Sequence, residues 1–554
     1  MKKQWWKEAV SYQIYPRSFM DSNGDGIGDI KGIMSKLDYL KELGIDVIWI
    51  CPFFKSPNAD NGYDISDYQD ISGQFGTMEE FDELLAEIHA RGMKLILDLV
   101  LNHTSDEHPW FIESRSSKDH PKRDWYIWKE GKGDLPPNNW ESIFSGSSWE
   151  YDAVTDEYYL HLFATKQPDL NWENQEVRKA LYDMVNWWVD KGIDGFRVDA
   201  ISHIKKREGF PDMHNPYGLS YVPAFDMHTN QEGIQDFLKE LKEETFAKYD
   251  IMTVGEANGV GIHQADDWVG ERNGKFDMIF QFEHLGLWRK GIDKDVDVVQ
   301  LKETLSKWQT SLHEKGWNAL FWENHDQPRS VSSWGNDTDY WKESAKMLAA
   351  CYFFMQGTPF IYQGQEIGMT NVQFESIQDY DDVGMINFYN IEVAKGTPHN
   401  DVMEVIWNSG RDNSRTPMQW NDCENAGFTE GTPWMKVNPN YKSINVEQQK
   451  KDSDSIYHFY KKMIQLRKNH EVFVYGEYKL LLKEHPCVYA YTRSIDNQTA
   501  VVLSNFKNAE QTISLSEIKV EASQLLLTNY SDSDACLTNE IILRPYETRV
   551  YLYK

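Results

Sequence analysis

The sequence is poor in cysteine. Five are scattered along 554 residues (Cys51, Cys351, Cys423, Cys487, Cys536), an odd number with no Cys-x-x-Cys pair. That pattern excludes a disulfide framework and fits a reduced, cytosolic chain. Long apolar runs are missing as well. None approaches the 18 residues a membrane-spanning helix needs, and Met347–Met355 is too short. The opening Met-Lys-Lys-Gln-Trp-Trp-Lys-Glu has no apolar core and no small-residue cleavage site, so no secretory leader is expected. Positive charge is scarce: 57 Lys and Arg stand against 87 Asp and Glu, a net charge of −30. Such a surface repels nucleic acid and anionic membranes, and disfavours acidic substrates unless a local patch opposes the overall field. Internal repeats and low-complexity tracts are absent.

Apolar residues are abundant at 40%, and aromatic residues make up 14%, including 21 Trp. The length implies more than one domain. Short β-rich runs alternate with helical patterns. The runs are Ala9–Tyr15, Asp46–Pro52, Lys94–Val100, Gly195–Ala200, Ile251–Ala257, Met278–Glu283, Asn318–Glu323 and Thr358–Gln363. Amphipathic helices are expected at Thr77–Arg91 and Glu176–Lys191. Eight strands alternating with helices predict an α/β fold, a closed (β/α)8 TIM barrel. Residues 104–171, rich in Trp, Pro and Gly, read as a small domain inserted after the third strand. The stretch 370–440 reads as loop with short helices. From about Val474 the pattern turns to short alternating segments, predicting a C-terminal antiparallel β-domain. The expected division is barrel 1–103, insertion 104–171, barrel 172–473 and β-domain 474–554.

Chemistry in a parallel barrel sits at the C-terminal ends of the strands. Four runs end in charged residues. The fourth reads Gly195-Phe-Arg-Val-Asp199, where Arg197 and Asp199 share a face and the cation favours the ionised carboxylate. The fifth ends in Glu256. Adjacent strands lie about 4.8 Å apart, close to the roughly 5–5.5 Å that separates the carboxyl groups of a retaining glycosidase. The seventh run ends Glu323-Asn-His325-Asp326, and the third Asp98-Leu-Val-Leu-Asn102-His103. One such residue is readily explained as a buried ion pair; four clusters at one rim point to a site.

These segments resemble the four signature regions of the α-amylase superfamily, glycoside hydrolase family 13, and Gln167-Pro-Asp-Leu-Asn171 is similar to a fifth region in its bacterial α-glucosidase branch. The resemblance covers essentially the whole chain. It implies a retaining, exo-acting α-glucosidase that releases glucose from small oligosaccharides, with Asp199 as nucleophile, Glu256 as acid/base, and Asp326 holding the 2- and 3-hydroxyls. Arg197 would support Asp199. His103 and His325 would bind the glucose, Tyr63 would stack beneath it and Phe163 would line the pocket. Asp60 and Arg415 would grip the 4-hydroxyl. Ala200 follows the nucleophile; in this branch Ala or Thr there accompanies α-1,4 preference and Val α-1,6, so a maltase is expected, with oligo-1,6-glucosidase as the alternative. A sucrose isomerase is disfavoured by the lack of Arg-x-Asp-Arg in 282–297, a trehalose-phosphate hydrolase by the lack of an evident phosphate patch, and a non-catalytic transporter heavy chain by the retained carboxylates.

One further motif stands apart. Asp21, Asn23, Asp25, Ile27 and Asp29 place oxygen donors at alternate positions around glycines, as in much of an EF-hand loop, but position twelve is Gly32 rather than Glu. A structural Ca²⁺ is expected there, with Mg²⁺ as the alternative. No catalytic metal and no organic cofactor are expected. The sequence gives no oligomeric state.

Overall fold

The computed structural model describes residues 2–287, 296–518 and 523–553. Part of the 282–297 stretch, which lacks Arg-x-Asp-Arg, therefore lies outside the described residues.

Eight strands form the central sheet: β1 (Ser11–Ile14), β2 (Val47–Ile50), β3 (Lys94–Val100), β4 (Gly195–Asp199), β5 (Met252–Glu256), β6 (Met278–Phe280), β7 (Ala319–Leu320) and β8 (Thr358–Tyr362). Neighbours pair in parallel in the order β6-β5-β4-β3-β2-β1-β8-β7. Aromatic packing brings the outer strands β6 and β7 together. Phe280 meets Phe321 edge-on at 5.0 Å and Phe360 at 4.8 Å. The interior follows the two-residue period of a strand: Val47, Trp49, Ile96, Met252, Val254, Met278, Phe280, Phe360 and Tyr362 pack together in one buried cluster.

Helices cover the outside. Helix α1 (Met78–Ala90) starts at Thr77, whose side chain accepts from the Glu80 amide while Glu80 accepts from the Thr77 amide. This reciprocal cap fixes the start of the helix. Its Phe81, Leu84, Leu85 and Ile88, at helical spacing, face the core. Helix α2 (Gln175–Asp190) likewise buries Val177, Leu181, Val185 and Trp188. Among the described residues, no helix is long and apolar enough to cross a membrane.

Three irregular regions shape the C-terminal rim. After β3, a small antiparallel sheet forms from Trp128–Lys129, Glu157–Leu160 and Trp149–Asp152. The segment after β4 joins it: Val222–Pro223 pairs with Trp140–Glu141, and Phe210 and Met227 pack against Trp140 and Trp149. After β8, the stretch read as loop with short helices contains two longer ones, α3 (Val383–Ala394) and α4 (His399–Ser409), of 12 and 11 residues. Helix α3 is apolar around much of its circumference and buries none of its residues fully, so no one-sided stripe marks it in the sequence.

Following α5 (Ile456–Asn469), the C-terminal strands are β9 (Glu477–Leu481), β10 (Val488–Ile495), β11 (Gln498–Asn505), β12 (Gln511–Ser514), β13 (Ser523–Thr528), β14 (Glu540–Leu543) and β15 (Thr548–Tyr553). They form a sheet in the order β9-β10-β11-β15-β13 and a separate β12-β14 pair. Strand β13 has no counterpart among the segments expected from sequence. Buried Arg493 ties this domain to the barrel: it donates to the carbonyls of Phe354 (2.6 Å) and Phe473 (2.9 Å) on the barrel side and to that of Gly476 (2.7 Å) in its own domain.

Strand β4 starts at a point of close approach. Gly195 has φ +148°, and a Cβ there would stand 1.9 Å from the Met252 carbonyl oxygen of β5. Only glycine suits both demands. Gly195→Ala should therefore push β4 from β5 and remove most soluble, folded protein on expression. Wild-type yield and melting temperature would contradict this packing.

Candidate active site

The register of β3, β4 and β5 builds the centre. Arg197 stands level with Asp98 on β3 and Val254 on β5; one step beyond the last pair, Val198 and Gly255, come Asp199 and Glu256. Arg197 is 1% exposed. Its Nη1 donates to Asp98 (2.8 Å) and Asp199 (2.6 Å), and its Nη2 to Glu256. One cation thus serves three carboxylates. Burial pushes the Asp199 carboxyl up; Arg197 pulls it back, and Glu256 and Asp98 push it up again. The net effect holds the Asp199 carboxyl well above its ordinary range. Two carboxyl groups on neighbouring strand ends, one able to attack and one able to carry a proton, suit covalent glycosyl transfer.

Ala200 turns the chain after β4 with φ +43°. This left-handed conformation is uncommon without glycine and occurs often at functional sites. The turn brings His203 to the cavity wall.

Asp326 follows β7 and meets three cations. His325 Nε2 lies 3.0 Å from its carboxylate, Arg415 Nη2 2.8 Å and Arg411 Nη1 3.3 Å. Burial alone would raise the Asp326 carboxyl; His325, Arg411 and Arg415 outweigh it and hold it well below the usual range. Burial would likewise lower His325, but Asp326 raises it to about 10. The other ring nitrogen lies 2.8 Å from the Gln13 amide, so an imidazolium here needs Gln13 to present its oxygen. The Tyr63 ring stacks on His325 at 5.2 Å, its hydroxyl 2.6 Å from Nε2 and 2.9 Å from Asp98. His103 behaves oppositely. Burial takes it down to about 4, leaving a neutral ring 5.0 Å from Phe163.

These residues surround a cavity of about 230 Å³, of monosaccharide dimensions. Asp60, Tyr63, His103, Phe163, Asp199, Ala200, Glu256 and Asp326 all line it. Asp60 sits on a turn fixed by Asp64, which accepts from the amides of Ala59 (2.8 Å) and Asp60 (3.0 Å).

Arg415 departs from expectation. It is fully buried and donates to the His325 carbonyl and to Asp326. Arg411 instead reaches Asp60, at 3.3 Å, and lines the cavity. The two arginines are four residues apart on a short helical turn, so they point to one side at different depths. Phe144, Phe225, Phe282 and Asn258 also line the cavity. Phe144, Phe282 and Asn258 sit in irregular segments and Phe225 opens a four-residue helix, Phe225–His228, where no periodicity singles them out. The i, i+4 spacing of Arg411 and Arg415 is the one available signal.

The loop 21–29 closes on itself. Asp21 accepts from the amides of Asn23, Gly24 and Gly26, Asn23 from Asp25, and Asp25 from Ile27. Asp29 caps the following helix through Gly32 (2.6 Å) and accepts from Ser22. The donors suit a hard cation in kind. Among the described residues, no three Asp, Glu, His or Cys side chains are gathered to hold one.

The His325–Asp326 pair predicts a pH dependence. The folded pKa of His325 lies above the unfolded value of about 6.5, so its contribution is fully present below about pH 6.5 and is lost as pH rises through about 10. Asp326 works in reverse: its contribution is present above the ordinary carboxylate range and lost as pH falls through its depressed value. The urea midpoint should fall as pH rises through the alkaline window set by His325, and Asp326→Asn should flatten that fall. An equally steep alkaline decline in the variant would contradict the pairing.

The chain was compared with known proteins. Residues 13–476 match the family described as alpha amylase, catalytic domain, and residues 488–550 match the alpha-amylase SusG C-terminal domain. The chain is 62% identical to the probable oligo-1,6-glucosidase 3 of Bacillus subtilis (strain 168), with all of both chains covered. It is 54% identical to the oligo-1,6-glucosidase of Parageobacillus thermoglucosidasius, over 100% of this chain and 99% of the relative. The crystal structure of Bacillus licheniformis trehalose-6-phosphate hydrolase matches with a TM-score of 0.92 and 47% identity, covering both chains fully. The chain belongs to the α-amylase family of glycoside hydrolases, family 13.

Proposed function

We propose that this glycoside hydrolase is a retaining, exo-acting α-glucosidase that removes glucose from the non-reducing end of short α-1,6-linked glucosides. The observation that carries the mechanism is Arg197 bridging Asp199 and Glu256 on adjacent strand ends. Asp199 attacks the anomeric carbon and forms a β-glucosyl ester. Glu256 gives a proton to the departing oxygen, then takes one from the water that opens the ester. Asp326, Arg411 and Asp60 take the outer hydroxyls, and Tyr63, His103, His325 and Phe163 shape the pocket around the ring. Arg415 acts behind them by holding Asp326.

The linkage rests on the relatives at 62% and 54% identity, both named as oligo-1,6-glucosidases. This reading replaces the α-1,4 preference expected from Ala200. The second reading, α-1,4 hydrolysis, keeps one observation: Ala200 lines the cavity with the smallest side chain that has a Cβ. A change of that size shifts specificity by only about 1–3 kcal/mol, so the remaining wall outweighs it. Purified enzyme should show a higher kcat/KM for isomaltose than for maltose, sucrose or trehalose. Ala200→Val should widen the isomaltose-to-maltose ratio by roughly tenfold. Dominant maltose turnover would return the assignment to the α-1,4 reading.

We also propose the 21–29 loop as a structural Ca²⁺ site, held by Asp21, Asn23, Asp25 and the Ile27 carbonyl, with Asp29 released from its cap. Melting in millimolar Ca²⁺ should exceed melting in chelator by several degrees, and Asp25→Ala should abolish the difference. Equal melting temperatures in the wild type would remove the metal.

A further inference from the structure

Arg411 is held unevenly. On the sugar side its contacts are long, 3.3 Å to Asp60 and 3.3 Å to Asp326. On the other side it grips Asp382, just before α3, with Nε at 3.0 Å and Nη2 at 2.8 Å, while its own amide donates to the same carboxylate at 3.1 Å. Asp382 is fully buried. Its side chain also caps α3 through the amides of Gly384 (3.0 Å) and Met385 (3.4 Å). Its backbone amide donates to Asp412 at 2.9 Å. Burial alone would raise this carboxyl, but Arg411 and Arg415 hold it below the usual range. The guanidinium lies 4.7 Å from the Phe144 ring, and Asn387 of α3 donates to the Phe144 carbonyl at 3.0 Å.

A guanidinium among several carboxylates settles on the one it reaches with the most short, charge-assisted hydrogen bonds; Nε and Nη2 both close on Oδ1 of Asp382 while the Arg411 amide takes Oδ2. Here the tight pair is made with the carboxylate that lies outside the cavity lining. We propose that Asp382 is a positioning residue for substrate recognition: it draws Arg411 back from Asp60 and Asp326, leaving the oxygens of both and the free N–H groups of Arg411 to receive hydroxyls of the terminal glucosyl unit. The inference rests on the reading that Arg411, Asp60 and Asp326 receive that unit. It assigns to the segment after β8 a role in recognition that acts through charge placement rather than through contact with sugar.

The test separates the anchor from the helix cap. Asn caps helices about as well as Asp, so Asp382→Asn keeps the cap and weakens the anchor. With p-nitrophenyl α-D-glucopyranoside, this variant should raise KM about tenfold and change kcat less than twofold. Asp382→Ser, which also keeps a good cap, should do the same. Arg411→Ala should raise KM at least as much, and the Asp382→Asn/Arg411→Ala double variant should be no worse than Arg411→Ala alone. Wild-type KM in both cap-competent variants, or an additive loss in the double variant, overturns the role of Asp382 while leaving the pocket intact. Unchanged KM in Arg411→Ala overturns the pocket reading itself, and the inference with it.

Discussion

The structure depends first on one guanidinium shared by three carboxylates. Arg197 is buried, and a buried charge is tolerated only with partners in good geometry. Those partners come from three successive strands, so they meet only if β3, β4 and β5 hold one register. Gly195 permits the close approach that starts this register, and Trp49 packs 5.2 Å from the guanidinium and donates to Asp98. Fold and site are thus one constraint: the pairings that close the barrel also set the distance between attacking and proton-carrying groups.

A second division of labour follows. The strands supply the reacting carboxylates, while irregular segments supply recognition. Asp60 comes from the turn after β2, Phe144 and Phe163 from the insertion, and Arg411 from the stretch after β8. The two histidines illustrate how local surroundings set charge. Burial dominates at His103 and keeps it uncharged near neutral pH, while Asp326 holds His325 as a cation. The same residue type therefore gives the cavity a neutral ring on its wall at His103 and, buried behind that wall, a cation that fixes the charge of Asp326 at His325.

Much of this was legible in the sequence, for reasons that differ by region. Period-two strands ending in charge marked Asp199, Glu256 and the segments bearing Asp326 and His103, because a barrel confines chemistry to one rim. The helices at Thr77–Arg91 and Glu176–Lys191 were visible through their one-sided stripes. The stretch after β8 was not. Helix α3 lacks a stripe, and the choice between Arg411 and Arg415 depends on depth along a single helical turn, which spacing alone does not give. Phe144 and Phe225 were hidden for a related reason, since an aromatic residue in a loop or at the start of a four-residue helix carries no periodicity, and Phe282 lay within an expected strand that in fact ends at Phe280. Asp29 sits in a ligand-like pattern, yet its carboxylate serves as a helix cap, a use that the same residue type supports equally well. Linkage preference was the least legible property, since one small side chain at Ala200 was weighed against an unseen pocket wall.

The central claim is a covalent intermediate on Asp199, and it is tested most directly by the anomer of glucose that appears first. Proton NMR of p-nitrophenyl α-D-glucopyranoside hydrolysis, in which all the glucose comes from the cleaved glucosyl unit, followed before mutarotation equilibrates the product, should show α-glucose forming ahead of β-glucose. Initial release of β-glucose would mean a single displacement by water and would contradict the assignment of Asp199 as nucleophile.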